Sequence, residues 1–382
     1  MAVSTFKIAN KLITGEGATG KLLDETIRLN MKNPLIVTDD ILVQVGVVST
    51  VQSILKGLTT GVYTGVKPDP EIALVEECTA TFRDGKHDGL IAVGGGSAID
   101  IAKSVSVYAN FKGKIHELFG TGLVPEKGFP IIAIPTTAGT GSEVTNIAIL
   151  SDTEEQVKKG IVSDYILPDV AIVAPEMTLT MPKSVTAASG IDALVHAIEA
   201  YISVNASPIT DALAKGAMQL IYANLPIAYE NPNDMNAREN MATASLMAGM
   251  AFGNAGVAAV HALAYPLGGR FHIPHGVSNA LLLPYVMEWN KSSCVERFRD
   301  IAEALGESVA GLSDLEAADR AVSAMRHLCD VVEIPKGMRT FNVPEEAIPS
   351  MAEDASKIER LLKNNPRAFT IEEIEQIYKS AF

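Results

Sequence analysis

The stretch Leu90-Ile91-Ala92-Val93-Gly94-Gly95-Gly96-Ser97-Ala98-Ile99-Asp100-Ile101-Ala102 decides the fold class. Four apolar residues in succession suit a strand that is covered on both faces. Three glycines then strip the side chains from the point where a strand passes into a helix. Backbone N–H groups there can approach an anion, and the dipole of the following helix, read over Ala98–Tyr108, favours it. The spacing is not GxGxxG, and glycine turns of this kind also serve as plain structural turns. From these residues alone both readings stand.

The same punctuation recurs on either side. Leu35-Ile36-Val37-Thr38-Asp39 is a β-branched run ending in an acid. Gly61-Val62-Tyr63 is a weaker strand, followed by the turn signal Lys67-Pro68-Asp69-Pro70 and amphipathic text over Pro70–Asp84. Ile131-Ile132-Ala133-Ile134 runs into Pro135-Thr136-Thr137-Ala138-Gly139-Thr140-Gly141-Ser142. Apolar strands separated by helices predict a parallel sheet with helices on both faces. After Met181-Pro182 the strand signals fade. Ala/Leu/Met-rich segments with three- and four-residue apolar spacing replace them: Val185–Val204, Ile209–Ala223, Asn236–Phe252, Ala255–Leu267, Cys294–Leu305 and Asp314–Cys329. Two domains are expected, an α/β domain over 1–180 and an all-helical domain over 181–382.

The 382 residues are 47% apolar and 20% charged, which is globular composition. With 31 Lys+Arg against 45 Asp+Glu the formal charge is −14. That charge repels phosphate backbones and anionic lipid, and no basic cluster offsets it, so neither nucleic acid nor a membrane surface is an expected partner. Three scattered cysteines (Cys78, Cys294, Cys329), without a CxxC, suggest neither a disulfide frame nor a thiolate metal site. No signal-peptide core and no membrane-length apolar run is read, and a cytoplasmic setting is expected.

Of seven histidines, His261, His272 and His275 fall close together, and His196 follows Asp192 by four residues. That interval puts Asp192 and His196 side by side on one helix face, among Ile191, Leu194, Val195 and Ile198. Taken alone the pair is either a metal-ligand pair or a capped or hydrogen-bonded Asp–His couple. With His261 in a helical stretch and Pro274-His275-Gly276 read as a turn, the set becomes one carboxylate and three imidazoles. Such donors suit a divalent first-row metal with positions left open. His272 stands beside them either as a neighbour of the site or as a proton carrier. In the first domain, the hydroxyls of Thr136, Thr137, Thr140 and Ser142 suit phosphate and ribose. Asp39 suits either the adenosine ribose or the N-cap of the next helix, and Lys158 either a cofactor phosphate or solvent.

Gly94–Ser97, Pro135–Thr145, Gly190–Tyr201, His261–Gly269 and Pro274–Ala280 occur in order, and together they resemble the metal-dependent (iron-containing) alcohol dehydrogenases. That group includes 1,3-propanediol and lactaldehyde oxidoreductases. The resemblance implies a dehydroquinate synthase-like fold: a Rossmann-like α/β N-terminal domain and an all-α C-terminal domain, with the site in the cleft between. It implies metal ligation by Asp192, His196, His261 and His275. Cofactor contacts fall on Asp39, Asp69, Gly95, Gly96, Ser97, Thr136, Thr137, Thr140, Thr145, Lys158 and Leu179.

Departures are Asp69, where many relatives carry Asn, and Tyr265, where many carry a histidine beside the nicotinamide. A phenol can donate a hydrogen bond there but titrates far above neutrality. Arg270 is a further departure, either a structural arginine or a selector of aldehydes bearing a carboxylate, sulfonate or phosphonate. Tyr265, His272 as proton relay, and Arg270 are thus the candidates near the reacting groups. The expected reaction is NAD(H)-dependent interconversion of a small primary alcohol and its aldehyde, with Fe²⁺ the first-choice metal and Zn²⁺ the second. A homodimer or larger homo-oligomer is expected from the relatives. The rivals are a dehydroquinate synthase-type lyase, which would need basic residues scarce between 185 and 290, and a His/Asp metal hydrolase without a nucleotide.

Overall fold

In the computed structural model, which describes residues 3–155 and 157–382, the apolar runs become the centre of one parallel sheet. The chain divides into two compact units, Ile8–Met181 and Pro182–Phe382, and the N-terminal segment ending at Lys7 belongs with the second. The sequence reading had placed that segment in the first domain. Its attachment is specific: Lys7 N–H donates to Asn254 Oδ1 at 2.6 Å, and Asn254 Nδ2 donates back to the Lys7 carbonyl at 2.8 Å.

The strands of the first unit are β1 (Leu12–Thr14), β2 (Leu35–Val37), β3 (Gly61–Tyr63), β4 (Leu90–Gly94), β5 (Gly120–Thr121), β6 (Ile131–Pro135), β7 (Ile147–Asp152), β8 (Val157–Val162) and β9 (Val170–Val173). Its helices are α1 (Leu22–Arg28), α2 (Asp40–Gln44), α3 (Val47–Ile54), α4 (Ile72–Asp84) and α5 (Gly96–Tyr108). The main sheet runs β1-β9-β6-β4-β2-β3, every pair parallel. Alternate residues of one strand feed opposite cores. Leu35, Val37, Leu90 and Ala92 pack with α4 and α5 residues, whereas Ile36, Ile91 and Val93 pack with Leu22, Val47, Val48 and Val51. This two-sided burial is why the strands read as unbroken apolar runs. The order also fixes a switch point. From β2 the chain crosses to β3 on one side and then to β4 on the other, so the residues following β2 and β4 flank the crevice where such sheets bind ligands. Those residues are Asp39 and Gly95-Gly96-Ser97.

A smaller sheet, β5-β8-β7, was not foreseen, because its strands carry Lys158, Lys159 and Asp152 and lack a continuous apolar signal. β1 and β9 also went unread; β1 is too short to show a period.

The second unit contains α6 (Lys183–Ile202), α7 (Pro208–Glu230), α8 (Met235–Ala255), α9 (Ala259–Phe271), α10 (His275–Asn290), α11 (Val295–Ala304), α12 (Asp314–Val331), α13 (Ile348–Ser356), α14 (Glu359–Leu362) and α15 (Ile371–Ser380). Thirteen consecutive helical positions of α6, Gly190 to Ile202, are buried without exception, so α6 is the central helix, packed by α7, α8 and α10. No single helix among the described residues is long and apolar enough to cross a membrane; α8 and α9 meet length and composition together only as a pair bent by 102°.

Candidate metal centre and nucleotide loops

Three helices of the second unit converge on one point. Asp192 and His196 lie one turn apart on α6, His261 lies in the first turn of α9, and His275 opens α10. Pro274-His275-Gly276, read from the sequence as a turn, is in fact the start of a helix with Pro274 as its N-cap. Gly276 makes the convergence possible. A Cβ on it would stand 2.7 Å from the Ala188 carbonyl of α6, so only glycine lets the two backbones come this close, one turn before Asp192.

One potential ligand atom from each of Asp192, His196, His261 and His275 lies within 4.8 Å of all the others. Asp192, His196 and His261 are buried, while the His275 side chain remains about one-third open, at 32% exposure. His196 Nε2 faces His261 Nε2 at 3.0 Å, and Asp192 Oδ1 is 3.8 Å from His275 Nε2 and 3.9 Å from His261 Nε2. Two buried imidazole nitrogens facing at such range repel through their lone pairs unless a proton or cation lies between them. Burial raises the cost of the Asp192 charge, but His196, His275, His261 and the Asn279 N–H bring the carboxyl below its ordinary range. One hard oxygen and three imidazoles, with no thiolate, could therefore hold a single divalent first-row ion.

Two residues the sequence reading missed orient this set. Glu199, fully buried on α6, accepts from His261 Nδ1 at 2.7 Å, and from the N–H groups of Ala258 at 2.8 Å and Val260 at 2.6 Å. It therefore fixes the His261 tautomer, turning Nε2 inward. It also satisfies the N-terminus of α9, whose own N-cap residue, Ala258, offers no side-chain acceptor. Asn279, one turn after His275, donates through Nδ2 to Asp192 Oδ1 at 2.7 Å and sits 3.2 Å from His275 Nε2. A signal for Glu199 existed: positions 192, 196 and 199 fall on one helix face.

The remaining candidates of this unit lie apart from the four. Tyr265 is half-buried on α9, one turn after His261. His272 is exposed, in the left-handed conformation that terminates α9, and is not one of the clustered residues. Arg270 is exposed and bonded within its own unit. Its Nη1 donates to Ser350 Oγ at 2.8 Å and Asp354 Oδ2 at 3.4 Å on α13, and its guanidinium stands over Phe271.

In the first unit, Gly95 is the N-cap of α5. The first N–H groups of the helix have no intrahelical acceptor. Gly96 is required by packing, since a Cβ there would lie 2.9 Å from Thr140 Cγ2. Gly95 is not: a Cβ would stand 3.4 Å from Thr137, ordinary contact, at a negative φ. Nothing in the chain's own packing demands its bareness, which fits a backbone left open for a ligand. Thr136 is buried, with its N–H on the Gly94 carbonyl at 3.0 Å, and Thr137 and Thr140 are half-buried beside the glycines. Asp39 caps α2 by accepting from Leu42 N–H at 2.9 Å, so the capping alternative is realised at the same time as the position at the switch point. Lys158 is not solvated; it pairs with Asp69, which adopts a positive φ. Leu179 is half-buried just after the short helical turn Pro175–Thr178. Thr145 is buried and engaged by Lys103, a residue the sequence reading did not single out.

Two family models cover nearly the whole chain: iron-containing alcohol dehydrogenase over residues 9–175, and the C-terminal part of the Fe-containing alcohol dehydrogenase family over 186–382. The chain belongs to the iron-containing alcohol dehydrogenase family and is an oxidoreductase of the alcohol–aldehyde class. It is 49% identical over 373 residues to long-chain-alcohol dehydrogenase 1 of Geobacillus thermodenitrificans, covering 96% of this chain and 94% of that one. Its fold superposes on the crystal structure of a 1,3-propanediol oxidoreductase with a TM-score of 0.97 at 40% identity, covering 100% of both chains. A sulfoacetaldehyde reductase from Bifidobacterium kashiwanohense, solved in complex with NAD+, is similar with a TM-score of 0.91 at 31% identity, covering 100% of this chain and 99% of that one.

Proposed function

We propose that this protein interconverts an uncharged primary alcohol and its aldehyde, using NAD(H) and one ferrous ion held by Asp192, His196, His261 and His275. The observation that carries the reading is the four-ligand cluster with His261 already aimed by Glu199. When bound, the metal supplies Lewis acidity toward the substrate oxygen. The chain's part is orientation. Glu199 keeps a proton on His261 Nδ1 and a lone pair on Nε2. Asn279 holds the Asp192 carboxylate by one oxygen, and buried apolar residues of α6 surround Asp192 and His196. In the first unit the open N–H groups at the start of α5 suit a diphosphate, and the hydroxyls of Thr137 and Thr140 suit its surroundings. The solved relative in complex with NAD+ supports the choice of nucleotide.

An uncharged substrate is favoured because Arg270, the one candidate for binding an anionic group, is occupied by Ser350 and Asp354. The relatives' names point to long-chain alcohols and to 1,3-propanediol, so chain length is the variable to scan. NADH oxidation followed by absorbance with a panel of neutral and sulfonated aldehydes tests the reading. We expect consumption with neutral aldehydes, and a neutral-to-anionic ratio of kcat/KM unchanged in Arg270→Ala. No NADH consumption by iron-loaded protein with any aldehyde would remove the assignment, and a large change of that ratio would restore Arg270 as a selector.

A further inference from the structure

The far side of α10 holds a cavity that the metal centre does not use. His275 and Asn279 face the cluster, and at about 100° per residue positions 280, 281, 284 and 285 fall on the opposite face of the helix. There Ala280, Leu281, Pro284 and Tyr285 meet Arg326 and Cys329 of α12, and the segment 334–337 closes a space of about 230 Å³. That segment is pinned at both ends. Ile334 N–H donates to the Cys329 carbonyl at 2.9 Å, and Met338 N–H to the Ala381 carbonyl at 3.0 Å. Gly337 lies so near the last residue that a Cβ would stand 2.7 Å from the Phe382 carbonyl.

The lining has a definite chemistry. The Arg326 guanidinium stands over the Tyr285 ring, 4.7 Å from its centroid, and is half-buried. Among the described residues it has no hydrogen-bond acceptor and no ion-pair partner. Asp330, the one carboxylate of the lining, pairs instead with Lys336 at 3.1 Å. Two cations against one acid leave a surplus of one positive charge, that of Arg326, on a chain whose formal charge is −14. Cys329 does not offset it, since burial pushes the thiol up to about 12 and keeps it neutral. Pro284 has no N–H to give the Ala280 carbonyl, and the Cys329 thiol, a weak donor, approaches that oxygen at 4.0 Å. Leu281, Pro284, Ile334 and Pro335 make the remaining wall apolar.

We propose that this cavity is a second binding site, for a small aliphatic monocarboxylate, with the carboxylate on Arg326 and the alkyl chain against Leu281, Pro284 and Ile334. A guanidinium matches a carboxylate through two parallel hydrogen bonds, and stacking on Tyr285 holds its plane for them. A dianion such as sulfate would bring two charges to one surplus cation and leave the apolar wall uncovered. The volume is below the roughly 300–1,000 Å³ of drug-sized sites, which limits the occupant to a short chain.

The test is calorimetric titration of iron-loaded protein with acetate, butanoate, hexanoate and sulfate, in the wild type, Arg326→Gln and Lys336→Glu. Hexanoate should bind the wild type with a Kd on the order of 1 mM, the range open to so small a ligand. It should bind about tenfold more tightly than acetate, because its extra methylenes reach the apolar wall. Arg326→Gln should weaken hexanoate about tenfold. Lys336→Glu, a change at an exposed position, reverses the surplus charge and should weaken it several-fold. Metal content should match the wild type in both variants, since neither residue belongs to the cluster. Equal hexanoate affinity in wild type and a folded Arg326→Gln would overturn the proposal and assign the carboxylate to the metal or to the general surface. Should Arg326→Gln fail to fold, equal affinity in wild type and Lys336→Glu would overturn it instead. Sulfate binding as tightly as hexanoate would overturn the carboxylate class, and absence of saturable hexanoate binding to the wild type would remove the site.

Discussion

Three acceptor contacts converge on the Glu199 carboxylate, and they make it the residue on which His261 depends. An amide in its place would have to turn an N–H toward a donor, so Glu199→Gln should loosen both the imidazole and the start of α9. Metal affinity, read by competition with a chelator and by metal content, should drop about 10- to 100-fold; unchanged affinity would mean that His261 is held by its surroundings alone. The glycine turn offers a second comparison at this scale. Gly96→Ala must push against Thr140 and should lower the thermal midpoint. Gly95→Ala has room within the chain and should leave the midpoint nearly unchanged, yet weaken NADH binding by filling the space beside the first N–H groups of α5. Equal thermal losses in both would show that Gly95 too is a packing residue. Of these residues, Gly95, Gly96 and His261 were legible as chemistry in a run of text. Glu199 and Asn279 were not, because a buried carboxylate or amide in an apolar helix looks the same whether it faces an imidazole or caps a neighbour.

At the level of elements, the tie that Lys103 and Asp100 make between α5 and the 142–149 stretch carries a pH signature. Glu143 is buried in the turn that opens that stretch, and burial pushes its carboxyl up to about 7, only partly countered by a backbone hydrogen bond and by Lys103. A raised carboxyl binds more protons folded than unfolded between its ordinary range and about pH 7, so its contribution to stability declines across that window and stays low above it. Glu143→Gln, which imitates the protonated form, should therefore raise the thermal midpoint above pH 7 and change little near pH 4. A midpoint difference that is flat with pH would rule the charge out as the cause. The sequence located α4 through α9, α11 and α12 well, because their three- and four-residue apolar spacing is local. It gave no helix over the span of α10 and took its start for a turn, since Pro274 before a histidine and a glycine is equally good turn and helix N-terminus. Only packing of Gly276 against Ala188 selects the helix.

For the helical unit as a whole, the cluster is a cross-link: α6 is far along the chain from the consecutive helices α9 and α10, and the three meet at four side chains. An ion that binds only the folded form stabilises it by about 2.7 kcal/mol at a hundredfold excess over Kd. For a unit of this size that is on the order of 5–10 °C. Chelation should lower the thermal midpoint by such an amount, with ferrous salt under reducing conditions restoring it more fully than magnesium, because imidazole donors suit the former. A midpoint indifferent to chelator would detach the cluster from metal.

The sequence by itself determined the layered α/β sheet, the change to helices near Met181, and the identity of the four clustered side chains, since period, glycine punctuation and histidine spacing are local properties written in consecutive residues. Only the tertiary structure decided which atom of each side chain faces the common point, that Arg270 is spoken for by α13, and that Lys103 spends all its hydrogens on one loop. These depend on contacts between residues tens to hundreds of positions apart, and a hydrogen-bond partner at that separation leaves no periodic trace in the chain.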